Sequence, residues 1–361
     1  MANQVKAKLV LEDGSEYIGW LFGDEKQLGR VCEIVFETSM AGYQEILSEP
    51  SYSDQFVLMT YPLIGNYGMT DEDYESRTPT IGGMIVREYN DQPSNFRYTK
   101  TLEEVMIEHH IPGLWGIDTR KLTRHIRDNG TCRAILVAED TPVAEAVAAI
   151  AATPIPHDAV ARVSCKKRWY SRTANARFNV VAIDCGIRNS VVRALNARGC
   201  NITVVPYNTS PEEIRRMKPD GIMISDGPGD PEDAAPVIEA VRALYGQYPI
   251  FGIELGHQIL ALACGAKTYK MKFGHRGSNH AVRELATGKV GVVSQNHSYA
   301  VDAESLAGTG LHVTHVDVFD NTVEGIADEA NRAFSVQYTP VAGTADLYER
   351  FIALMEQKVG E

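Results

Sequence analysis

The sequence predicts an α/β protein with a doubly wound parallel sheet in its C-terminal half, preceded by a mixed α+β domain. From Asn179 onward, short apolar runs alternate with amphipathic helical stretches at the rhythm of βα units. Two tight Gly-containing turns, Asp226–Pro231 and Gly252–Gly256, fall directly after such runs, where open parallel sheets collect their ligands. A break at 154–177, opened by Pro154 and Pro156 and carrying Lys166, Lys167, Arg168, Arg172 and Arg177, reads as a solvated linker. The expected domains are therefore 1–153 and 178–361.

In the first domain Leu9–Leu11, the Asp13-Gly14 pair and a second short strand read as a hairpin. Gly-, Tyr- and Pro-rich segments from Ser39 to Gly68 read as long ordered loops. Thr101-Leu102-Glu103-Glu104 is a capping box, Asp118 caps a helix ending near Gly130, and Thr141-Pro142 opens another. In the second domain the strands are Val180–Ile183, Ile202–Val205, Gly221–Ser225 and Ile250–Ile253. Helices run from Ser190 to Arg198 (closed by Gly199), from the Ser210 capping box, from about Pro231 to Tyr245, and from Gln258.

A length of 361 residues suits about two domains at roughly 150 residues each. A net charge of −12 argues against nucleic acid or an anionic membrane as partner. Six cysteines without a CxxC pair suggest neither a disulfide framework nor a zinc cluster. No metal-ligand spacing is recognisable, and no cofactor is expected. The absence of a long apolar run or a signal-peptide core makes the cytoplasm the expected compartment.

Between the strand Ile250–Ile253 and the helix after it, Gly252 and Gly256 flank Glu254 with the spacing of a nucleophile elbow. A Cβ at either glycine would clash across so tight a turn. Elbows normally display Cys or Ser; this one displays Glu. Cys264, about 15 Å further along the elbow helix, and Cys185 both read as packing cysteines.

This stretch, with Thr38–Leu47, Pro50–Ser53, Thr60–Gly68 and Ile117–Arg124 in the first half and Asp226–Pro231, Lys272–Gly277, Gln295–His297 and Phe334–Tyr338 in the second, resembles the carbamoyl phosphate synthetase small-subunit family. The C-terminal domain of that family is a class I glutamine amidotransferase. The resemblance runs almost end to end. It implies Cys, His and Glu at the positions of Glu254, Thr339 and Val341, so none of the three triad members is present. Asp226 stands where Asn is usual, and Ser298 where Gly is usual. The resemblance further implies a glutamine pocket built from Ser51, Gly227, Gly229, Leu255, Gln258, Asn296, Ser298 and Tyr299. Main-chain N–H groups near Gly229 and Leu255 would form the oxyanion hole, and the Glu254 carboxylate is expected to turn into it.

Hydrolysis of glutamine in this fold needs a thiolate, a proton carrier and an orienting carboxylate. Loss of one key member of such a triad costs on the order of 10⁶ in turnover. The expectation is a non-catalytic subunit that binds the large synthetase subunit of carbamoyl phosphate synthetase, or a paralogue, and supports synthesis from free ammonia. Two alternatives are a repurposed enzyme using Glu254, Asp226, His257 or His297 as acid–base groups or metal ligands, and a sensor of glutamine or another metabolite.

Overall fold

The computed structural model describes residues 5–340 and 347–357. The chain divides into two compact units, Met1–Pro156 and His157–Glu361.

Among the described residues of the first unit, seven strands close into a barrel. Around it they run Lys6–Leu11, Glu16–Gly23, Pro112–Trp115, Gly83–Val86, Gln55–Met59, Val31–Glu37 and Cys132–Ala138. The hairpin forms as expected, with Gly14 at φ 84° in its turn and the Ser15 N–H donating to Asp13 Oδ1 at 2.8 Å. The Thr101 capping box and the Asp118 cap both form, at the heads of Leu102–Glu108 and Thr119–Asn129. Val143–Ala152 lays Ala146 and Ile150, one turn apart, against Val10, Ile135 and Val137 of the barrel wall.

The segment 39–68 differs from the loop reading. It holds the helix Tyr43–Ser48, the turn Pro50–Tyr52 and the barrel strand Gln55–Met59. Two of its tyrosines are structural: the rings of Tyr43 and Tyr67 stack at 4.0 Å, and Tyr67 Oη accepts from the N–H groups of Gly42 and Tyr43.

The second unit is built on a ten-stranded sheet among its described residues. Five neighbours are parallel, in the order Cys200–Pro206, Phe178–Asp184, Gly221–Ile224, Ile250–Ile253 and Ala333–Val336. Beyond Ala333–Val336 the sheet turns antiparallel through Val323–Asp328, Val290–Val301, Thr268–Glu284 and His312–Asp317. Alternate residues face opposite cores. Val180, Ala182, Met223, Phe251 and Ile253 pack with Val191, Leu195 and Phe351 on one face. Val181, Ile183, Ile222, Ile224 and Ile250 pack with Val237, Val241, Leu244 and Ile259 on the other. Such double burial is why these strands read as continuous apolar runs.

The stretch read as a linker departs from expectation beyond Pro156. Ala159–Val163 is helical, and Trp169–Ser171 adds an antiparallel edge strand to Cys200–Pro206. Part of its basic run is engaged, with Lys166 Nζ donating to the Ala161 carbonyl and Arg177 pairing with Glu356 at 3.1 Å.

Candidate functional site

Four parallel neighbours end side by side, and the loops leaving their carboxyl ends carry Arg188, Asp226, Glu254 and Thr339. Glu254 sits at φ 50°, ψ −108°, a conformation that non-glycine residues rarely adopt. Its N–H donates to the Val336 carbonyl at 2.9 Å, and its own carbonyl accepts from the N–H of His257 at 2.9 Å. A Cβ on Gly252 would lie 2.5 Å from the Gly256 carbonyl oxygen, and one on Gly256 would strike the Ile224 carbonyl. The elbow geometry read from the glycine spacing is therefore present. The helix Leu255–Ala263 begins three residues earlier than its apolar pattern indicated, immediately after the turn.

The Glu254 carboxylate does not cap the helix that it opens. Its Oε1 accepts from Arg188 Nη2 at 2.8 Å and from the Thr339 hydroxyl at 2.6 Å. Arg188 Nη2 also reaches Thr339 Oγ1 at 2.6 Å, and Arg188 Nε lies 2.6 Å from Asp226 Oδ2. One guanidinium is thus shared by two carboxylates, with the three side chains 6%, 0% and 1% exposed for Arg188, Asp226 and Glu254. Charges so buried persist only when paired and hydrogen-bonded. The Glu254 side chain thus meets an arginine and a threonine hydroxyl, neither of which the sequence pointed to as its partner. Arg188 was missed because, in sequence, it reads as an ordinary surface cation between a strand and the helix Asn189–Ala197.

Asp184 shapes the loop that delivers Arg188, accepting from the N–H groups of Gly186 and Ile187, both at 2.9 Å. Gly227 has a packing reason beyond turn-making, since a Cβ there would strike the Cys185 carbonyl; Gly229 takes φ 89°. Leu255 joins the apolar core beneath the turn. Gln258 Nε2 donates to the Tyr299 carbonyl at 2.8 Å and to Gln337 Oε1 at 2.9 Å. Asn296, Ser298 and Tyr299 share the strand Val290–Val301, where Ser298 Oγ accepts from Arg276 Nη2 at 2.5 Å. Ser51 belongs to the first unit and is buried in the turn Pro50–Tyr52. Val341 lies outside the described residues.

Neither Cys264 nor Cys185 offers a replacement nucleophile. Burial pushes the Cys264 thiol up to about 11 and holds Cys185 well above its ordinary value, so neither is a thiolate near neutrality. His257 is fully buried with Nδ1 2.9 Å from Ser335 Oγ, and burial pushes it down to about 3. It is a neutral core histidine, not a base.

Residues 181–343 match the family model for class I glutamine amidotransferase, which the parallel sheet and elbow embody. Residues 9–136 match the CPSase domain of the carbamoyl-phosphate synthase small chain. The small chain of Staphylococcus saprophyticus is 49% identical over 98% of this chain and 96% of its own. That of Bacillus caldolyticus is 50% identical over 99% of both, and the pyrimidine-specific small chain of Halalkalibacterium halodurans 49% over 98% of both. The chain belongs to the carbamoyl phosphate synthase small-chain family. No helix among the described residues is long and apolar enough to cross a membrane.

Proposed function

We propose that this chain is a carbamoyl phosphate synthase small subunit without glutaminase activity, serving a cytoplasmic large synthetase subunit, or a paralogue of it, that takes nitrogen from free ammonia. Family membership alone would imply glutamine hydrolysis. The observation against it is the ion-paired carboxylate of Glu254 at the elbow, where the chemistry calls for a thiolate. A carboxylate attacks an unactivated amide poorly, and the acyl product would be a reactive anhydride. Thr339, beside it, neither takes up nor returns a proton near neutral pH, and Val341 has no means of orienting an imidazole. With Arg188 and Asp226 closing a buried charge network against Glu254, the elbow is organised as structure rather than as a reaction centre.

The test is co-purification with the large subunit, followed by product assays with glutamine and with ammonium as alternative nitrogen donors. Product from ammonium alone supports the proposal. Ammonia release from glutamine at rates lost on Glu254→Gln would end it, and would favour a repurposed cleft. A rise in melting temperature with glutamine but no turnover would favour a sensor.

A further inference from the structure

Away from the elbow network, in the antiparallel part of the second unit's sheet, three neighbouring strands bring His275, His297 and Glu324 together. His275 and His297 stand directly opposite each other in register. One ligand atom from each of the three residues lies within 4.8 Å of the others. His275 Nδ1 is 3.6 Å, and His297 Nε2 3.9 Å, from Glu324 Oε1. Three donors at about 2.1 Å around a tetrahedral ion would stand roughly 3.4 Å apart, so the spacing is already close to that of a coordination shell. The residues are 7%, 6% and 0% exposed.

The remaining atom of each group is held as metal ligands are held. His275 Nε2 pairs with Asp320 Oδ2 at 2.9 Å, leaving Nδ1 buried without a hydrogen-bond partner. His297 Nδ1 donates to the Tyr299 carbonyl at 2.8 Å. Glu324 Oε2 accepts from Gln295 Nε2 at 3.0 Å, while Thr322 Oγ1 touches Oε1 at 3.2 Å.

A fourth oxygen stands at the same place: Gln295 Oε1 lies 3.1 Å from His297 Nε2, while the amide nitrogen of Gln295 donates to Glu324.

We propose that His275 Nδ1, His297 Nε2 and Glu324 Oε1 bind one divalent first-row transition ion of the zinc type, with Gln295 Oε1 or a water completing its shell. Two imidazoles and a carboxylate are the donor set that such ions favour. Imidazole binds an ion only in its neutral form, so the ion competes with protons for these nitrogens. The ligands come from three strands, so no linear motif announces them. The site would staple the antiparallel strands, and Tyr299, whose carbonyl also receives Gln258, links it to the elbow helix.

The full-length chain, stripped with chelator, should bind one equivalent of Zn²⁺ by calorimetry, with a raised melting temperature. Co²⁺ should give the intense visible bands of a tetrahedral site. His275→Gln and Glu324→Gln should each weaken binding at least tenfold, whereas Asp233→Asn, at the exposed His157–Asp233 pair, should not. If a ligand variant fails to fold, the Co²⁺ spectrum of the unmodified chain decides. Absence of stoichiometric binding there, octahedral spectra alone, or affinity unchanged in the folded His275 and Glu324 variants would overturn the assignment.

Discussion

Arg188 Nη2 meets Glu254 Oε1 at 2.8 Å with both side chains almost wholly removed from solvent. The guanidinium carries Asp226 on its other edge, so one cation compensates two carboxylates. Removing the cation takes that compensating charge away from both buried acids. Arg188→Met should therefore cost about 3–5 kcal/mol in chemical denaturation. Adding Glu254→Gln and Asp226→Asn to Arg188→Met should recover a large part of it. A loss under about 1 kcal/mol for the single variant would show that the network carries little.

Glu254→Cys alone should release no ammonia from glutamine, because Thr339 and Val341 stand at the positions where the family resemblance implies the base and its orienting acid. The combination Glu254→Cys, Thr339→His and Val341→Glu should give hydrolysis measurably above the buffer rate. Adding Asp226→Asn and Ser298→Gly should raise it further, by placing around the pocket the residues that the family resemblance implies there. Coupled ammonia detection checks each step, and a silent five-site variant with intact melting behaviour would show that the pocket itself is gone.

At Gly256 a methyl group would be driven into the Ile224 backbone. Gly256→Ala should destabilise the second unit by roughly 1–3 kcal/mol, since neither strand nor helix can give way cheaply. Gly265→Ala meets no such neighbour, but its φ of 95° should still impose a backbone cost, so it serves as a strain-only control. Equal losses at the two sites would refute the steric account of Gly256.

Buried neutral His257 should make the fold acid-sensitive. Its pKa falls from 6.5 to about 3 on folding, so the unfolded chain binds the extra proton between those values. The contribution is full above about pH 6.5 and is lost as pH falls toward about 3, at up to about 1.4 kcal/mol per pH unit. Relative to wild type, His257→Gln should show a shallower decline in urea-derived stability between neutrality and about pH 5. Parallel curves would place the acid sensitivity elsewhere.

Four of the five parallel strands, the helices between them and the elbow were legible because each is local, whereas the parallel strand Ala333–Val336 was not read as a strand. Apolar runs of Val and Ile mark strands buried on both faces, and the glycines at 252 and 256 mark a turn with no room for Cβ. The barrel was not legible, because its closure depends on pairings such as Leu9 with Leu136, far apart in sequence. Trp169–Ser171 was hidden by the charges around it, since an edge strand exposed on one side needs little apolar pattern. Arg188 was invisible for a related reason: nothing local distinguishes a cation that reaches buried carboxylates from one that reaches water.

The bend at residue 254 is imposed by its surroundings: two glycines that admit close backbone contact, and a main-chain bond from Glu254 to Val336. Those main-chain contacts do not depend on which side chain stands at the apex, even though the carboxylate here adds its own bonds to Arg188 and Thr339. Reactive and inert residues can therefore replace one another at the apex without refolding the sheet, which makes the position an exchangeable fitting through which a lineage could acquire or surrender catalysis by a handful of codon changes.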